Sequence, residues 1–244
     1  MSMSLVIDAH NHIGNRHGAT QTGEELVAKL DTAGVDRAVI LPFVEGTIDN
    51  DIIDREAKAF PDRLIPFCSV NPWDRGAAIE TIRHCVEDHG MKGIKLHPTL
   101  HGYRLGDHSL VDPIFSAARD LGVVVTSHGA SDLYNTPHEF AEMARTYPEV
   151  TLWMVHMGFF WMTDFAIEVA TEHPNLYLDT SRAPVFEVAQ AVREAGPEKV
   201  VWGTDSPYVD YEWEFRKMSR VASSHEAYEL VVGGNVARIL EISA

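Results

Sequence analysis

The feature that most constrains this chain is an alternation. A short apolar or β-branched run is followed by a stretch with helical spacing of apolar residues, eight times over, with no linker between repeats. The strand candidates are Leu5–His10, Arg37–Pro42, Leu64–Val70, Gly93–His97, Val123–Ser127, Thr151–His156, Leu176–Thr180 and Val200–Gly203. Helix candidates follow them at Gly23–Ala33, Asp51–Phe60, Ala77–His89, Leu110–Leu121, His138–Tyr147, Thr163–His173 and Val185–Ala195, with a closing segment from Tyr211 to Ile242. Gly34, Gly90, Gly122 and Gly196 stand where left-handed C-terminal caps belong, and Pro61, Pro148 and Pro174 stop three other helices.

Strands two to six are apolar on both faces, as parallel strands between two layers must be. Eight strands alternating with eight helices predict an α/β fold, a single (β/α)8 TIM barrel spanning residues 1–244 as one domain. A doubly wound open sheet is the alternative, weakened by the absence of a GxGxxG loop after the first strand. With 45% hydrophobic residues a large core is available, and the formal charge of −16 argues against nucleic acid and anionic membranes. The two cysteines, Cys68 and Cys85, imply no disulfide framework. No secretory signal precedes Leu5 and no apolar run reaches the roughly 20 residues that span a bilayer, so a soluble cytoplasmic protein is expected.

In such a barrel the C-terminal strand ends open into one mouth, where chemistry is carried out. The first strand ends in LVIDAHNHIG, and strict alternation puts Asp8, His10 and His12 on one face. The fourth, GIKLHP, places Lys95 and His97 together; the fifth ends in His128, the sixth in His156 and the eighth in Asp205. Five of the thirteen histidines thus fall on strand tails. A single one there is an ordinary rim residue, but imidazoles and a carboxylate converging from remote strands make a metal site.

The order HxH, Lys, His, His, Asp, in the wording DAHNHIG, KGIKLHP, SHGA, VHMG and WGTDSP, resembles the amidohydrolase superfamily, and within it the amidohydrolase-related (amidohydrolase 2) branch. The closing GGNVARIL is similar to that branch's C-terminal helix. The resemblance implies one divalent ion, most often zinc with manganese as the alternative, held by His10, His12, His128 and Asp205. It implies that His156 stands beside the ion as acid or base. Lys95 is open: carboxylated, as in the binuclear dihydroorotases, it would bridge two ions with His156 as a further ligand; uncarboxylated, it is an ammonium facing an anionic substrate.

Such a centre activates water for hydrolysis of an amide, ester or lactone, with Asp205 and His156 as the catalytic pair. Decarboxylation of the aminocarboxymuconate-semialdehyde or resorcylate type is the alternative. It is disfavoured because decarboxylases of the branch carry long insertions after the first strand, where only about eight residues separate Gly14 from the first helix. A metal-independent lactonase or a ligand-binding barrel without catalysis is the third reading. Residues 98–109, PTLHGYRLGDHS, suggest a mobile lid in which Tyr103 and Arg104 meet a small carboxylated substrate. His97, Phe159 and Trp161 are further substrate-contact candidates, and residues 159–161 could instead cover a homodimer contact.

Overall fold

Each apolar run forms a strand beside its neighbour in chain order. The computed structural model describes residues 5–16, 18–130, 132–221 and 224–243. The strands are β1 Ile7–Arg16, β2 Ala19–Gln21, β3 Arg37–Pro42, β4 Leu64–Ser69, β5 Gly93–Leu96, β6 Val124–His128, β7 Leu152–Val155, β8 Leu176–Asp179 and β9 Val200–Val201. They run in the order β2-β1-β3-β4-β5-β6-β7-β8-β9. Every pairing is parallel except β1 with β2. The ring closes where the Ala9 N–H donates to the Trp202 carbonyl at 2.9 Å, His12 N–H to Ser206 O at 2.8 Å, and Asp205 N–H to His10 O at 2.9 Å. This is the expected (β/α)8 barrel.

The helices of the first half are α1 Gly23–Ala33, α2 Asn50–Ala59, α3 Gly76–Arg83, α4 Pro98–His101 and α5 His108–Leu121. Those of the second half are α6 Pro137–Thr146, α7 Thr163–Glu172, α8 Val185–Glu194, α9 Tyr211–Val221, α10 His225–Glu229 and α11 Asn235–Ile239. Local signals set their ends: Thr22 and Glu25 form a reciprocal capping box on α1, which stops at Gly34 with φ 71°. A π turn, His84–Asp88, continues α3.

Three expectations need correction. First, β1 does not end at His10; it runs on to Arg16 and folds back antiparallel through β2, so the short connection before α1 is a hairpin. Second, the closing segment is not one element but α9, then α10, a π turn and α11. Third, residues 98–109 are packed rather than free: Tyr103 and Leu105 are buried, and the Leu105 N–H donates to Tyr134 O at 2.8 Å. A flap so anchored has apolar contacts to break before it moves.

Ile7, Ala9, Val39, Phe67, Trp153, Tyr177 and Val201 fill the barrel's interior, with Val236 and Leu240 packed against them. The outer layer, including Leu26, Ile40, Ile94, Phe115, Leu178 and Trp202, lies between sheet and helices. Fully burying one such side chain contributes about 1.5–3 kcal/mol, so the two layers hold the strand tails in place. Gly233 lets the C-terminal π turn lie directly on β1: a Cβ there would sit 1.8 Å from the Leu5 carbonyl oxygen. Among the described residues no helix is long and apolar enough to cross a membrane, and both cysteines are buried free thiols.

Candidate metal centre

The alternation of β1 is broken before its histidines. Ile7 and Ala9 both face the interior, and the β1–β3 register shifts between Asp8 and Asn11. Asp8 therefore does not join the imidazole rings, although the His10 N–H donates to its Oδ1 at 2.9 Å. Its carboxylate accepts from Thr204 Oγ1 at 2.6 Å and from the Thr204 N–H, and burial pushes its pKa up to about 6. On its other side β1 meets the chain beyond β9 through a parallel bridge between Asn11 and Ser206.

His10, His12 and Asp205 come together at the mouth. His10 Nε2 lies 3.2 Å from His12 Nε2, His12 Nε2 3.2 Å from Asp205 Oδ1, and His10 Nε2 3.5 Å from the same oxygen. Hydrogen bonds at the far side of each ring decide what faces inward. His12 Nδ1 stands 3.3 Å from the Pro42 carbonyl, which can only accept, so Nδ1 carries the proton and Nε2 a lone pair. Ser181 Oγ donates to Asp179 Oδ1 and accepts from His10 Nδ1 at 3.2 Å, leaving His10 Nε2 a lone pair as well. Three electron-rich atoms thus face one point, an arrangement that repels itself unless a cation lies between. Donors at about 2.1 Å from a tetrahedral ion stand about 3.4 Å apart, close to the three observed edges. The donor set fits a divalent ion.

Behind it lies a support from the seventh strand tail, a position absent from the expected site. Asp179 Oδ2 is buried without a hydrogen bond, 3.7 Å from His10 Nδ1, and desolvation raises the Asp179 pKa to about 6. Ser181 Oγ also lies 2.9 Å from His156 Nδ1, which in addition meets the Ser181 carbonyl at 3.0 Å. A carboxylate and a hydroxyl that orient the far nitrogens of two imidazoles are what fixes ring orientation at metal centres. The signal was present: the seventh strand candidate runs straight into Asp179, Thr180 and Ser181. Gly203 admits the pair, because a Cβ there would meet Asp179 Oδ2 at 2.7 Å.

The other expected residues are placed unequally. His156 is buried 5.5 Å ring to ring from His10, and desolvation lowers its pKa to about 4. His128 does not join the triad; it stacks on His97 at 4.1 Å and meets His156 edge-on at 5.1 Å. Burial, with Lys95 nearby, holds His97 down to about 2. Lys95 is wholly buried; desolvation lowers it to about 8 against the pull of Asp205 and Asp179. Tyr103 is buried with its ring stacked on His101, and Arg104 is clamped on Glu139 of α6. Trp161 is 84% exposed, while Phe159 borders a groove with Arg182 and Trp213.

The rim cations are instead Arg182, whose Nη1 is 3.3 Å from Asp205 Oδ2, and Arg16, which donates to Tyr208 Oη at 2.7 Å. Both guanidinium carbons lie 5.7 Å from the Tyr208 ring centre. His156, Arg182 and Asp205 adopt left-handed φ of 66°, 62° and 64° just past their strands. Such backbone is held only where the surroundings over-determine it, and it gathers at functional sites. A cavity of about 1000 Å³ lies between α1 and the start of α9, with Tyr208 in its lining.

Solved structures share this fold at low identity. A 5-carboxyvanillate decarboxylase from Sphingomonas paucimobilis superposes with a TM-score of 0.79 at 16% identity, over 98% of this chain and 99% of its own. A dihydroxybenzoic acid decarboxylase from Polaromonas sp., with bound manganese and 2-nitroresorcinol, gives 0.77 at 14%, over 98% of each chain. A probable 2-pyrone-4,6-dicarboxylic acid hydrolase from Acinetobacter baumannii gives 0.76 at 15%, over 97% and 99%. No curated protein sequence matches significantly. The model of the amidohydrolase 2 family, described as Amidohydrolase, matches residues 7–242, and the chain belongs to that family.

Proposed function

We propose that the protein is a metal-dependent hydrolase that opens a lactone, ester or amide bond in a small carboxylated substrate. The observation that carries this reading is the triangle of lone pairs formed by His10 Nε2, His12 Nε2 and Asp205 Oδ1, with edges of 3.2–3.5 Å. A divalent cation held there, zinc or manganese, supplies a Lewis acid and lowers the pKa of a water from about 15.7 toward 7.

This chain's residues supply the rest. Asp205 stays a carboxylate: burial alone would raise its pKa, but neighbouring positive charge, with the Arg182 guanidinium 3.3 Å from Oδ2, holds it below the ordinary range. It is a base, suited to take the proton of the attacking water and pass it to the leaving group. His156, with its Nδ1 proton committed to Ser181, presents Nε2 as an acceptor that orients that water. Lys95 stands as an ammonium at the buried end, where negative charge developing on the attacked carbonyl oxygen is stabilised in a dry setting. Arg182 and Arg16 at the rim suit a substrate carboxylate.

A protonated acid at Asp205 is what decarboxylation would need, and the Arg182 guanidinium beside it opposes that. The likeness to decarboxylases is one of fold, so the test addresses both reactions. Chelator-treated protein, reconstituted with Zn²⁺ or Mn²⁺, is assayed on carboxylated lactones, esters and amides for acid release and on carboxylated phenols for CO₂. Metal-dependent ring opening or ester cleavage supports the proposal. CO₂ release without hydrolysis, or full turnover in metal-free protein, overturns it.

A further inference from the structure

A second pair of imidazoles meets on the outer surface, far along the chain from the strand tails. His84 opens the π turn that continues α3, and His89 is the residue that ends it. In an α-helix positions i and i+5 point to different sides; the wider π turn brings them onto one. His84 Nε2 and His89 Nε2 are 3.0 Å apart, with ring centres at 4.5 Å and planes at 80°.

The far nitrogens are both taken. His84 Nδ1 lies 2.6 Å from Asp88 Oδ2, and His89 Nδ1 lies 3.1 Å from Asp54 Oδ1 on α2. A carboxylate only accepts, so each Nδ1 carries a proton and each Nε2 turns a lone pair toward the other. Lys58 Nζ, 2.7 Å from Asp54 Oδ2 and 3.4 Å from His89 Nδ1, binds the remaining face of that carboxylate. Two carboxylate-oriented imidazoles sharing one point form the arrangement that orients histidine ligands on a metal. Two nitrogens about 2.1 Å from one ion at a right angle stand about 3 Å apart, which matches this pair and the tetragonal preference of Cu²⁺ and Ni²⁺. The adjacent groove is lined by Asp49, Asp51 and Glu80, which add negative potential.

We propose that His84 and His89 form a second, surface site for a borderline divalent cation, with Cu²⁺ the tightest of the series, which pins the π turn of α3 to α2 through Asp54. Asp88 and Asp54 are positioning residues. The site is independent of the mouth and does not depend on which reaction is catalysed there.

The test titrates Cu²⁺ into enzyme preloaded with Zn²⁺, comparing the natural protein with His84→Gln, His89→Gln and Asp88→Asn. Copper is read by electron paramagnetic resonance and by broadening of the His84 and His89 ring signals, and zinc retention by elemental analysis. The expected result is one copper with two nitrogen ligands, zinc retained and the melting temperature raised. Either glutamine variant should then lose at least tenfold in affinity and Asp88→Asn about tenfold. Equal uptake by all variants, displacement of zinc with the two ring signals unbroadened, or one proton shared between the rings with no copper uptake would each overturn the proposal.

Discussion

Removing the Ser181 hydroxyl should damage stability and metal retention together. In Ser181→Ala, Asp179 Oδ1 keeps only the Ser181 N–H, and His10 Nδ1 loses its nearest acceptor at 3.2 Å. His156 Nδ1 retains the backbone carbonyl at 3.0 Å. Hydrogen bonds to charged groups contribute about 1.5–3 kcal/mol each; the one to Asp179 is lost together with the weaker contacts to His10 and to His156, the latter partly replaced by the carbonyl, so the variant should be about 2–4 kcal/mol less stable. For a chain of this size that lowers the melting temperature by roughly 5–15 °C. Loosening the second layer behind His10 should weaken metal binding by about 10–100-fold. The measurements are thermal unfolding of the metal-free protein and competition of Zn²⁺ against a chromogenic chelator, with Ser181→Thr as the control that keeps a hydroxyl. If Ser181→Ala melted within about 1 °C of the natural protein and bound zinc equally well, the assigned hydrogen-bond network and its lone-pair argument would be wrong.

Four further outcomes are expected. Asp205→Asn should lower kcat/KM for the hydrolysed substrate by at least 10²–10⁴-fold, measured with metal content checked in the same sample. Lys217→Met, which removes the donor to Thr180 O at 2.7 Å and Ala183 O at 3.2 Å and leaves the buried Glu214 unpaired, should cost about 3–5 kcal/mol in urea unfolding. Gly233→Ala should prevent α11 from docking and lower soluble yield, because the added methyl overlaps the Leu5 carbonyl. Metal-free protein should lose stability as pH falls from about 6.5 toward 4. The buried His10, His97, His128 and His156 are held below their ordinary pKa and take up protons only on unfolding, while Asp8 and Asp179, raised to about 6, offset part of the loss.

Much of the site was legible because one rule covers it: inward residues at strand tails meet when the ring closes. That rule delivered His10, His12, His156 and Asp205 to the mouth. The same rule reaches the seventh strand tail, where Asp179 and Ser181 stand behind His10 and His156. The rim was less legible. Arg104 has the composition of a carboxylate binder, yet Glu139 on α6 captures it, and Arg182 takes the place beside Asp205. Loop direction depends on which distant helix a side chain reaches, and no local pattern encodes that.

The sequence by itself determined the eight-fold alternation, the helix stops and the residue types at each strand end, since periodicity, glycine caps and prolines act over a few residues. Tertiary structure alone decided three things: the register shift that turns Asp8 away from the histidines, the stacking of His128 on His97 outside the triad, and the π turn that pairs His84 with His89. The first and third depend on an irregularity in the element and the second on the register of β5 against β6, which local propensity does not specify and packing of the barrel fixes.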